Sequence, residues 1–289
     1  ASLFMDDCEL AGTEGWGLVV YDEGTQVTLN DTVIRDNVTI GMSAAGYGAS
    51  IENGSSLLAE RCTIESNTLV GLLCSGEGTE VALVDTIVRD TQIDPTGGYA
   101  YGLGVCEGAT LTASDCQLSG HRLAVSTWGG GKATLEHCLM AENKGLGVYC
   151  TESGSEVELL DSVIRDNEPI DVDGGQFQVG DYGHGIVVAL DGSLSTSSCT
   201  ISNNAAQGLA VSDGGGTINL YDTTIQDTRA HPIHGGWGYA IQAVDGTTLR
   251  ADGCTLSANT QGGLAAVGPS TSVTLEDTTI LDTRAGAEG

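Results

Sequence analysis

The sequence is poor in the residues that usually fill a globular core. Only 4% of its 289 residues are aromatic, and only 4 are Pro. Because large aromatic side chains supply much of an ordinary core, this composition disfavours a conventional globular domain. No apolar run approaches the ~18 residues of a membrane-spanning helix, so no transmembrane segment is predicted.

Positive charge is also scarce. The chain has 10 Lys+Arg against 39 Asp+Glu, for a net charge of -29. Such a surface repels phosphate backbones, so nucleic acid is not expected as a partner. The excess of acid suits a secreted or surface-exposed protein. No cofactor is expected, although turns rich in Asp, Asn and Gly leave Ca²⁺ open as a ligand.

The chain is rich in Gly, with 43 residues. A short sequence motif, which we call the phrase, recurs along its whole length. Residues 57–64 read Leu-Leu-Ala-Glu-Arg-Cys-Thr-Ile, and residues 81–88 read Val-Ala-Leu-Val-Asp-Thr-Ile-Val. We take the Cys or Thr of each phrase as its anchor. The anchors are Cys8, Thr32, Cys62, Thr86, Cys116, Cys138, Ser162, Cys199, Thr223, Cys254 and Thr278. A repeat of this length predicts a scaffold of stacked units.

The spacing of the phrase predicts three short strands in each unit. The shortest repeats, at about 22 to 24 residues, leave no room for a strand, a helix and a return. Apolar residues stand five and three before the anchor, at the anchor and two after it. The strict alternation of apolar and polar residues is interrupted once, between the apolar position three before the anchor and the anchor itself. Two strands should therefore meet there at a bend. The residue before the anchor, such as Asp31 or His137, tolerates a left-handed backbone and is predicted as the corner.

A second column lies five residues after each anchor. It contains Thr13, Asn37, Asn67, Thr91, His121, Asn143, Asn167, Asn204, Thr228, Asn259 and Thr283. Asn repeated at a turn lets side-chain amides hydrogen-bond along a stack. This ladder resembles the right-handed parallel β-helix of the pectate-lyase-like superfamily and the β-helix regions of bacterial secreted and surface proteins.

The resemblance implies an all-β solenoid of about eleven coils, with three short strands in each coil. It covers residues 1–289 as one domain, which we expect to be a segment of a longer protein. It implies little about activity, because this fold supports many functions.

The chain has nine cysteines. Six of them are anchors and are predicted to stack in the core, where a small side chain is needed. Two pairs stand at matching positions of adjacent coils, Cys74 with Cys106 and Cys116 with Cys138. In a secreted protein either pair could form a disulfide. No Cys-x-x-Cys motif occurs, which disfavours a zinc or redox site.

The longer coils carry their extra residues at one point, after the Asn/Thr column, so these insertions should crowd one side of the rod. They hold aromatic, His and Asp side chains, a combination typical of saccharide grooves. The candidate ligand face comprises Tyr99, Tyr101, Asp171, Asp173, Tyr182, His184, His231, His234, Trp237 and Tyr239. The alternative is that these residues only hold the loops against the rod.

No catalytic residue is assigned. Lyases and epimerases of this fold need a base and a cation beside the substrate carboxylate, but Lys occurs only at 132 and 144. Arg35 and Arg89 share a column with Glu65, which predicts a salt-bridge ladder. Asp94 and Pro95 are not followed by His, so the Asp-Pro-His signature associated with alginate epimerases is incomplete.

The sequence therefore predicts a non-catalytic extracellular scaffold, a stalk or adhesin-like segment of a bacterial surface or secreted protein. Its expected partner is an extracellular polysaccharide or protein. One alternative is a polysaccharide-binding or polysaccharide-degrading protein, a lyase, epimerase or hydrolase, that uses the long-loop face. A second alternative is a filament subunit, because open coil ends expose strand edges that can pair with another copy.

Overall fold

The chain folds as a stack of coils in which each coil adds one strand to each of three parallel sheets. The computed structural model describes residues 1–39, 46–93, 100–170, 182–232 and 236–284. The three sheets have 11, 11 and 10 strands. This is the parallel β-helix with three short strands per coil that the repeat predicts. Among the described residues no helix is long and apolar enough to cross a membrane.

The first sheet holds the longer strand of the recurring phrase. Its strands are β1 (Ser2–Asp6), β4 (Gln26–Asn30), β7 (Ser56–Glu60), β10 (Glu80–Val84), β13 (Thr110–Ser114), β16 (Lys132–Glu136), β19 (Glu156–Leu160), β22 (Gly192–Ser197), β25 (Gly216–Tyr221), β28 (Thr248–Asp252) and β31 (Ser272–Glu276).

The second sheet follows the anchor and has three residues in every strand. Its strands are β2 (Glu9–Ala11), β5 (Val33–Arg35), β8 (Thr63–Glu65), β11 (Ile87–Arg89), β14 (Gln117–Ser119), β17 (Leu139–Ala141), β20 (Val163–Arg165), β23 (Thr200–Ser202), β26 (Thr224–Gln226), β29 (Thr255–Ser257) and β32 (Thr279–Leu281).

The third sheet contains the Gly-rich and Leu-rich phrases. Its strands are β3 (Leu18–Val20), β6 (Ala49–Glu52), β9 (Val70–Ser75), β12 (Tyr101–Cys106), β15 (Leu123–Trp128), β18 (Leu146–Thr151), β21 (His184–Ala189), β24 (Gln207–Ser212), β27 (Tyr239–Ala243) and β30 (Gly262–Ala266).

Equivalent residues of successive coils pair directly, which turns the sequence pattern into columns. Leu57 pairs with Val27 on one side and with Val81 on the other. The inward positions, among them Leu29 and Leu83, are buried. One continuous apolar core therefore runs through the centre of the stack.

The anchors lie inside this core, as predicted. The thiol of Cys62 and the hydroxyl of Thr86 are buried, and each finds a hydrogen-bond acceptor on the backbone. Thr86 Oγ1 donates to the carbonyl oxygen of Val84 at 3.0 Å and accepts from the Cys62 backbone N at 3.2 Å. Small polar side chains are tolerated here because their polar atoms are satisfied.

The predicted corner is confirmed in every coil. All eleven residues before the anchors are in the left-handed region, with φ between 43° and 66°. The structure also contains a second left-handed column, four residues after the anchor, that the sequence analysis missed. Its members are Gly12, Asp36, Ser66, Asp90, Gly120, Glu142, Asp166, Asn203, Asp227, Ala258 and Asp282, with φ between 52° and 73°. Asp tolerates this conformation, so much of the excess acid marks bends of the backbone.

The Asn ladder is also confirmed. Asn37 Nδ2 donates to Asn67 Oδ1 at 2.8 Å, and the same oxygen accepts from the Asn37 backbone N at 3.2 Å. Asn67 Nδ2 in turn donates to the Ile34 carbonyl oxygen at 3.0 Å. Each amide thus satisfies backbone and side-chain groups of the neighbouring coil.

His121 takes the place of Asn in this column. Its Nε2 lies 3.0 Å from the Val88 carbonyl oxygen, and its Nδ1 lies 3.0 Å from Thr91 Oγ1. Burial lowers the pKa of His121 to about 4, against a weaker opposing effect of the Val88 carbonyl. The imidazole is therefore neutral at pH 7, and it can donate to Val88 and accept from Thr91 as an amide would.

The cysteines require one correction. All nine are free thiols. Cys74 pairs with Val105, whereas Cys106 pairs with Ser75, so the two cysteines are offset by one residue. Since successive side chains of a strand point to opposite faces, the predicted match between Cys74 and Cys106 is wrong.

Cys116 and Cys138 do share a column on adjacent coils, and their thiols are in contact. The structure contains them as two thiols. The hydrogen bond to Cys116, together with burial, raises the pKa of Cys138, which disfavours its reactive thiolate form.

Exposed ion pairs run along the outside of the coils. Arg89 pairs with Glu65 at 2.5 Å, and Arg35 pairs with Glu9 at 2.6 Å. The predicted ladder of three is thus divided into two pairs. Exposed pairs of this kind stabilise a fold by about 0–1 kcal/mol each.

Candidate functional site

The candidate ligand face lies where the chain passes from the second sheet to the third. The described candidates border the outer face of the third sheet. Four of the predicted residues lie outside the described residues. These are Tyr99, Asp171, Asp173 and His234. The other six are described.

Four of those six meet in one cluster, formed by Tyr182, His184, His231 and Trp237. The Tyr182 and Trp237 rings lie edge-on, with centroids 4.9 Å apart. The centroid of Trp237 lies 5.4 Å from that of His231 and 6.1 Å from that of His184. We call this group the ring cluster.

The ring cluster joins two coils that are not neighbours. His184 begins β21 and Trp237 precedes β27, with β24 between them. The intervening coil has Ala205 and Ala206 at this point, both fully buried. Gly183 packs so closely that a Cβ there would come within 3.0 Å of the Ala205 Cβ. Small residues in the middle coil therefore let the flanking coils meet above it.

The two histidines of the ring cluster are excluded from water, whereas Tyr182 and Trp237 are half-buried. His184 is 6% exposed and His231 is 1% exposed. Burial, with a smaller effect of His231, lowers the pKa of His184 to about 3. Its Nδ1 is buried and makes no hydrogen bond to any described residue. At pH 7 His184 is therefore a neutral ring in an aromatic contact.

Tyr101 lies apart from this cluster and stacks on Trp128. The ring centroids are 5.7 Å apart and the planes are inclined by 28°. The indole lies over Gly104, where a Cβ would come within 3.1 Å of Trp128 Cη2. Both rings are half-buried. The sequence analysis missed Trp128 because its coil has no insertion, although its position in register with Cys106 of β12 places it on this sheet.

Part of the remaining outer face of the third sheet is apolar. Tyr101 and Tyr149 pack against a small outer cluster, whose buried members are Leu123, Leu146, Val187 and Ala210. Tyr239, the last of the described candidates, packs its ring over Gly262, where a Cβ would come within 2.7 Å of it. Tyr239 thus contacts the next coil and not the ring cluster.

These residues offer little for metal or acid–base chemistry. Within the described ranges no group of three or more His, Cys, Asp or Glu side chains could hold a metal ion. A smaller cavity of about 260 Å³ lies near the turn into the third sheet, and its lining includes Asp90, Gln92, Arg122 and Lys144. The described residues of this face mainly supply the surfaces of aromatic and imidazole rings.

A larger groove, which the sequence analysis also missed, lies on the outer face of the first sheet. Its cavity of about 590 Å³ is lined by residues of β4, β7, β10 and β13. The lining is Gln26, Val27, Thr28, Ser56, Leu57, Leu58, Glu80, Val81, Ala82, Thr110 and Thr112. We call it the first-sheet groove.

The chain matches the family described as "Right handed beta helix region" over residues 1–93 and 86–225, and it belongs to this family. No curated protein matches it. The family match agrees with the handedness and the sheet architecture of the fold.

Two solved structures of the periplasmic alginate epimerase AlgG are similar in fold. The wild-type enzyme shares 13% identity, with a TM-score of 0.68, over 91% of this chain and 61% of the enzyme. A double mutant shares 14% identity, with a TM-score of 0.69, over 90% and 61%. The Dettilon tailspike protein shares 12% identity, with a TM-score of 0.46, over 90% of this chain and 56% of that chain. The chain thus spans less than two thirds of the length of each.

Proposed function

We propose that this chain is a non-catalytic β-helix scaffold in an extracellular protein, whose outer faces meet polysaccharide or protein partners. One observation carries the proposal. Seven acidic residues stand in the first left-handed column and six in the second, so a carboxylate recurs at the bends of most coils and is not gathered at one place. Asp31 and Asp85 belong to the first column, and Asp36 and Asp90 belong to the second. A glycosidase or lyase site instead needs acid and base groups facing one another across a substrate.

The state of the histidines supports the same proposal. His121 is engaged in the Asn ladder, and His184 is packed in the ring cluster. A general acid or base works best with a pKa near the pH at which it operates. The pKa values of about 4 and about 3 suit these two rings to packing and hydrogen bonding, not to proton transfer at neutral pH.

An extracellular setting fits the charge and the placement of the thiols. The net charge of -29 favours solubility outside the cell. Eight of the nine free thiols are buried, and only Cys8 is partly exposed. Burial protects a thiol from oxidants, so such cysteines can persist reduced in an oxidising compartment.

The test is activity on acidic polysaccharides. The purified chain is incubated with alginate, polygalacturonate and hyaluronan, with and without Ca²⁺. Reducing ends, the ultraviolet absorbance of unsaturated products and the NMR uronate composition are then measured. We expect no change in any of them under either condition. Cleavage or epimerisation of any substrate would overturn the scaffold proposal.

A second candidate function is saccharide recognition on the long-loop face, and the stacked rings of Tyr101 and Trp128 favour it. Aromatic faces bind pyranose rings by stacking, and both rings are half-buried beside the insertions. The variant Trp128→Ala should abolish any oligosaccharide binding by this face, whereas Trp16→Ala, at an exposed turn, should leave it unchanged. Equal binding by the two variants would remove this candidate.

Two other expectations stay predictions. Ca²⁺ binding is tested by calorimetric titration of the metal alone. End-to-end association is tested by mass against concentration in sedimentation experiments, at low and high salt, because the net charge of -29 opposes contact between copies.

A further inference from the structure

We infer that the outer face of the second sheet carries a binding site at Arg165 for a small aliphatic carboxylate, either a free acid or the end of an acidic side chain. A cavity of about 140 Å³ lies there. Its lining includes Gln117, Ser119, Leu139, Ala141, Glu142 and Arg165. We call it the Arg165 notch. The inference goes beyond the scaffold proposal, because a scaffold needs no ligand of its own.

Two other arginines of the same column show what such a guanidinium binds. Arg35 donates to Glu9 from Nε at 2.7 Å and from Nη2 at 2.6 Å. Arg89 donates to Glu65 from the same two atoms, at 2.7 Å and 2.5 Å. Each glutamate belongs to the preceding coil. The edge formed by Nε and Nη2 is therefore the one that takes a carboxylate in this column.

Arg165 stands at the equivalent position, but the preceding coil supplies no carboxylate to it. Glu9 stands one residue after its anchor, and Glu65 stands three residues after its anchor. The same two positions in the coil before Arg165 are Leu139 and Ala141. Both of these apolar residues line the notch. The notch thus lies where the other two arginines meet a glutamate.

Contact with Asp166 orients the guanidinium of Arg165. Its Nη1 lies against Asp166, just as Nη1 of Arg35 lies against Asp36. The two guanidinium groups are therefore held from the same side. In Arg165, Nε and Nη2 make no hydrogen bond or ion pair with any described residue. The side chain is 41% exposed, so a ligand can reach this edge from the solvent.

The rest of the lining suits a carboxylate on a short alkyl stem. Ser119 pairs with Ala141, and its half-buried hydroxyl makes no hydrogen bond to a described residue, so it can donate to a ligand. Leu139 and Ala141 offer apolar contact to the stem. A volume of about 140 Å³ compares with ~30 Å³ for one water in the liquid and with the ~300–1,000 Å³ of ordinary ligand pockets. The notch therefore selects an acid of a few carbon atoms.

The surrounding charge favours a monoanion over a dianion. Asp166 and Glu142 flank the notch, and the chain as a whole carries a net charge of -29. Glu142 is exposed and forms no ion pair with Arg165, although both residues are described. Arg35 accepts a glutamate while it also contacts Asp36, so one further carboxylate is tolerated in this setting. A doubly charged phosphate would be repelled more strongly.

The experiment uses the whole chain and propionate, which reproduces the end of a glutamate side chain. Propionate replaces chloride at constant ionic strength, and the arginine Nε–H resonances are followed by NMR. Arg165→Gln identifies the resonance of Arg165. Inorganic phosphate is the comparison anion. A blocked tripeptide with a central Glu distinguishes the source of the carboxylate, because tighter binding than that of propionate indicates a protein side chain, and weaker binding indicates a free acid.

Ala141→Glu supplies the glutamate from the preceding coil and should displace propionate. Ala11→Glu is the matched control, since Ala11 pairs with Arg35 as Ala141 pairs with Arg165. It adds the same charge, but Glu9 already contacts the Nε and Nη2 edge of Arg35. Circular dichroism establishes that the variants fold. Arg165→Gln changes a half-exposed side chain, so the test does not depend on whether the buried Ala141 position accepts Glu.

We expect propionate to shift the Arg165 resonance and to saturate with a Kd on the order of 10 mM, because the site is partly exposed. Arg165→Gln and Ala141→Glu should abolish saturable binding, whereas Ala11→Glu should retain it. Glu142→Gln should strengthen binding by roughly twofold, because it removes a negative charge from the rim.

Three results would overturn the inference. The first is a propionate titration that leaves the Arg165 resonance unchanged, or that Ala141→Glu and Ala11→Glu alter equally. The second is tighter binding of phosphate than of propionate. The third is a Glu142→Gln variant whose Arg165 resonance moves, without any propionate, as far as propionate moves it in the wild type, since Glu142 would then already occupy the edge.

Discussion

The outer faces of the first and third sheets are built by the same coils, yet one is open and the other is covered. The turns from the third sheet to the first are short and Gly-rich, such as those at Gly54 and Gly108, so the first sheet keeps a trough of small side chains. The passage from the second sheet to the third carries the insertions, and there the Tyr182 and Trp237 rings pack together. Turn length, more than strand sequence, decides which face of a β-helix stays accessible.

The largest loss in the free energy of unfolding is expected when the ring cluster on the third-sheet face is disrupted. Trp237→Ala should lower the free energy of unfolding by about 2–4 kcal/mol, because it leaves a cavity among Tyr182, His184 and His231. The control Trp16→Ala removes an indole that is 45% exposed and should cost less than about 1 kcal/mol. Urea unfolding measures both. Similar losses for the two variants would mean that the ring cluster does not hold the third-sheet face together.

The two buried histidines, His121 and His184, should make the free energy of unfolding depend on pH. Their pKa values, about 4 for His121 and about 3 for His184, lie below the ~6.5 of an unfolded chain. As pH falls below 6.5 the unfolded chain therefore takes up protons that the folded chain refuses. The contribution of these histidines to stability should be greatest above pH 6.5 and should fall by about 1 kcal/mol per pH unit for each histidine between pH 6.5 and pH 5.

The variant His121→Asn restores the residue type of the ladder and isolates one of the two contributions. In urea unfolding between pH 7 and pH 5, the average slope of stability against pH should be reduced by about 1 kcal/mol per pH unit. The comparison variant His137→Asn replaces a histidine outside the ladder, at an exposed corner with φ of 52° that Asn tolerates. A slope that His121→Asn does not alter would show that folding does not lower the pKa of this imidazole.

The Asn ladder borders the third sheet, so its loss should affect that face. Asn67→Ala removes the acceptor of the Asn37 backbone N and the donor to the Ile34 carbonyl oxygen. We expect a loss of about 2 kcal/mol, since buried backbone groups are left unpaired. Amide hydrogen exchange should speed up in the neighbouring coils of the third sheet. Unchanged exchange there would contradict the structural role of the ladder.

The smallest effect is expected on the open face. Thr112→Ala alters an exposed side chain of the first-sheet groove. Its effect on the free energy of unfolding should stay within about 0.5 kcal/mol. A loss above 1 kcal/mol would show that the open face contributes to the stability of the fold.

The repeating features were predictable because they depend on local chemistry. An inward anchor, the corner at residues such as Asp31 and the amide of Asn67 each follow from one residue type at one position. The second left-handed column was missed because Ser66, Glu142 and Ala258 hide its pattern. There the conformation is imposed by the coil and not by the residue.

The features that depend on neighbouring coils were not predictable. A one-residue offset placed Cys106 opposite Ser75 and away from Cys74, and no spacing in the sequence records such a shift. The ring cluster forms because Ala205 is small, and the first-sheet groove forms because Ala82 is small. Both features depend on small side chains that leave space for their neighbours. A sequence search for reactive residues does not select such side chains.

The Asn ladder also determines how the rod can change in length. Each amide bonds only to the coil beside it, as Asn143 does to Asn167 at 3.0 Å and Asn167 to Asn204 at 2.7 Å. A coil that carries its own Asn can therefore be duplicated or deleted, and the new junction finds the same partners. His121 shows that the position even accepts a different side chain with a similar donor and acceptor. The ladder thus makes one coil the smallest segment that can be added or removed, so the length of the rod can change during evolution by whole coils.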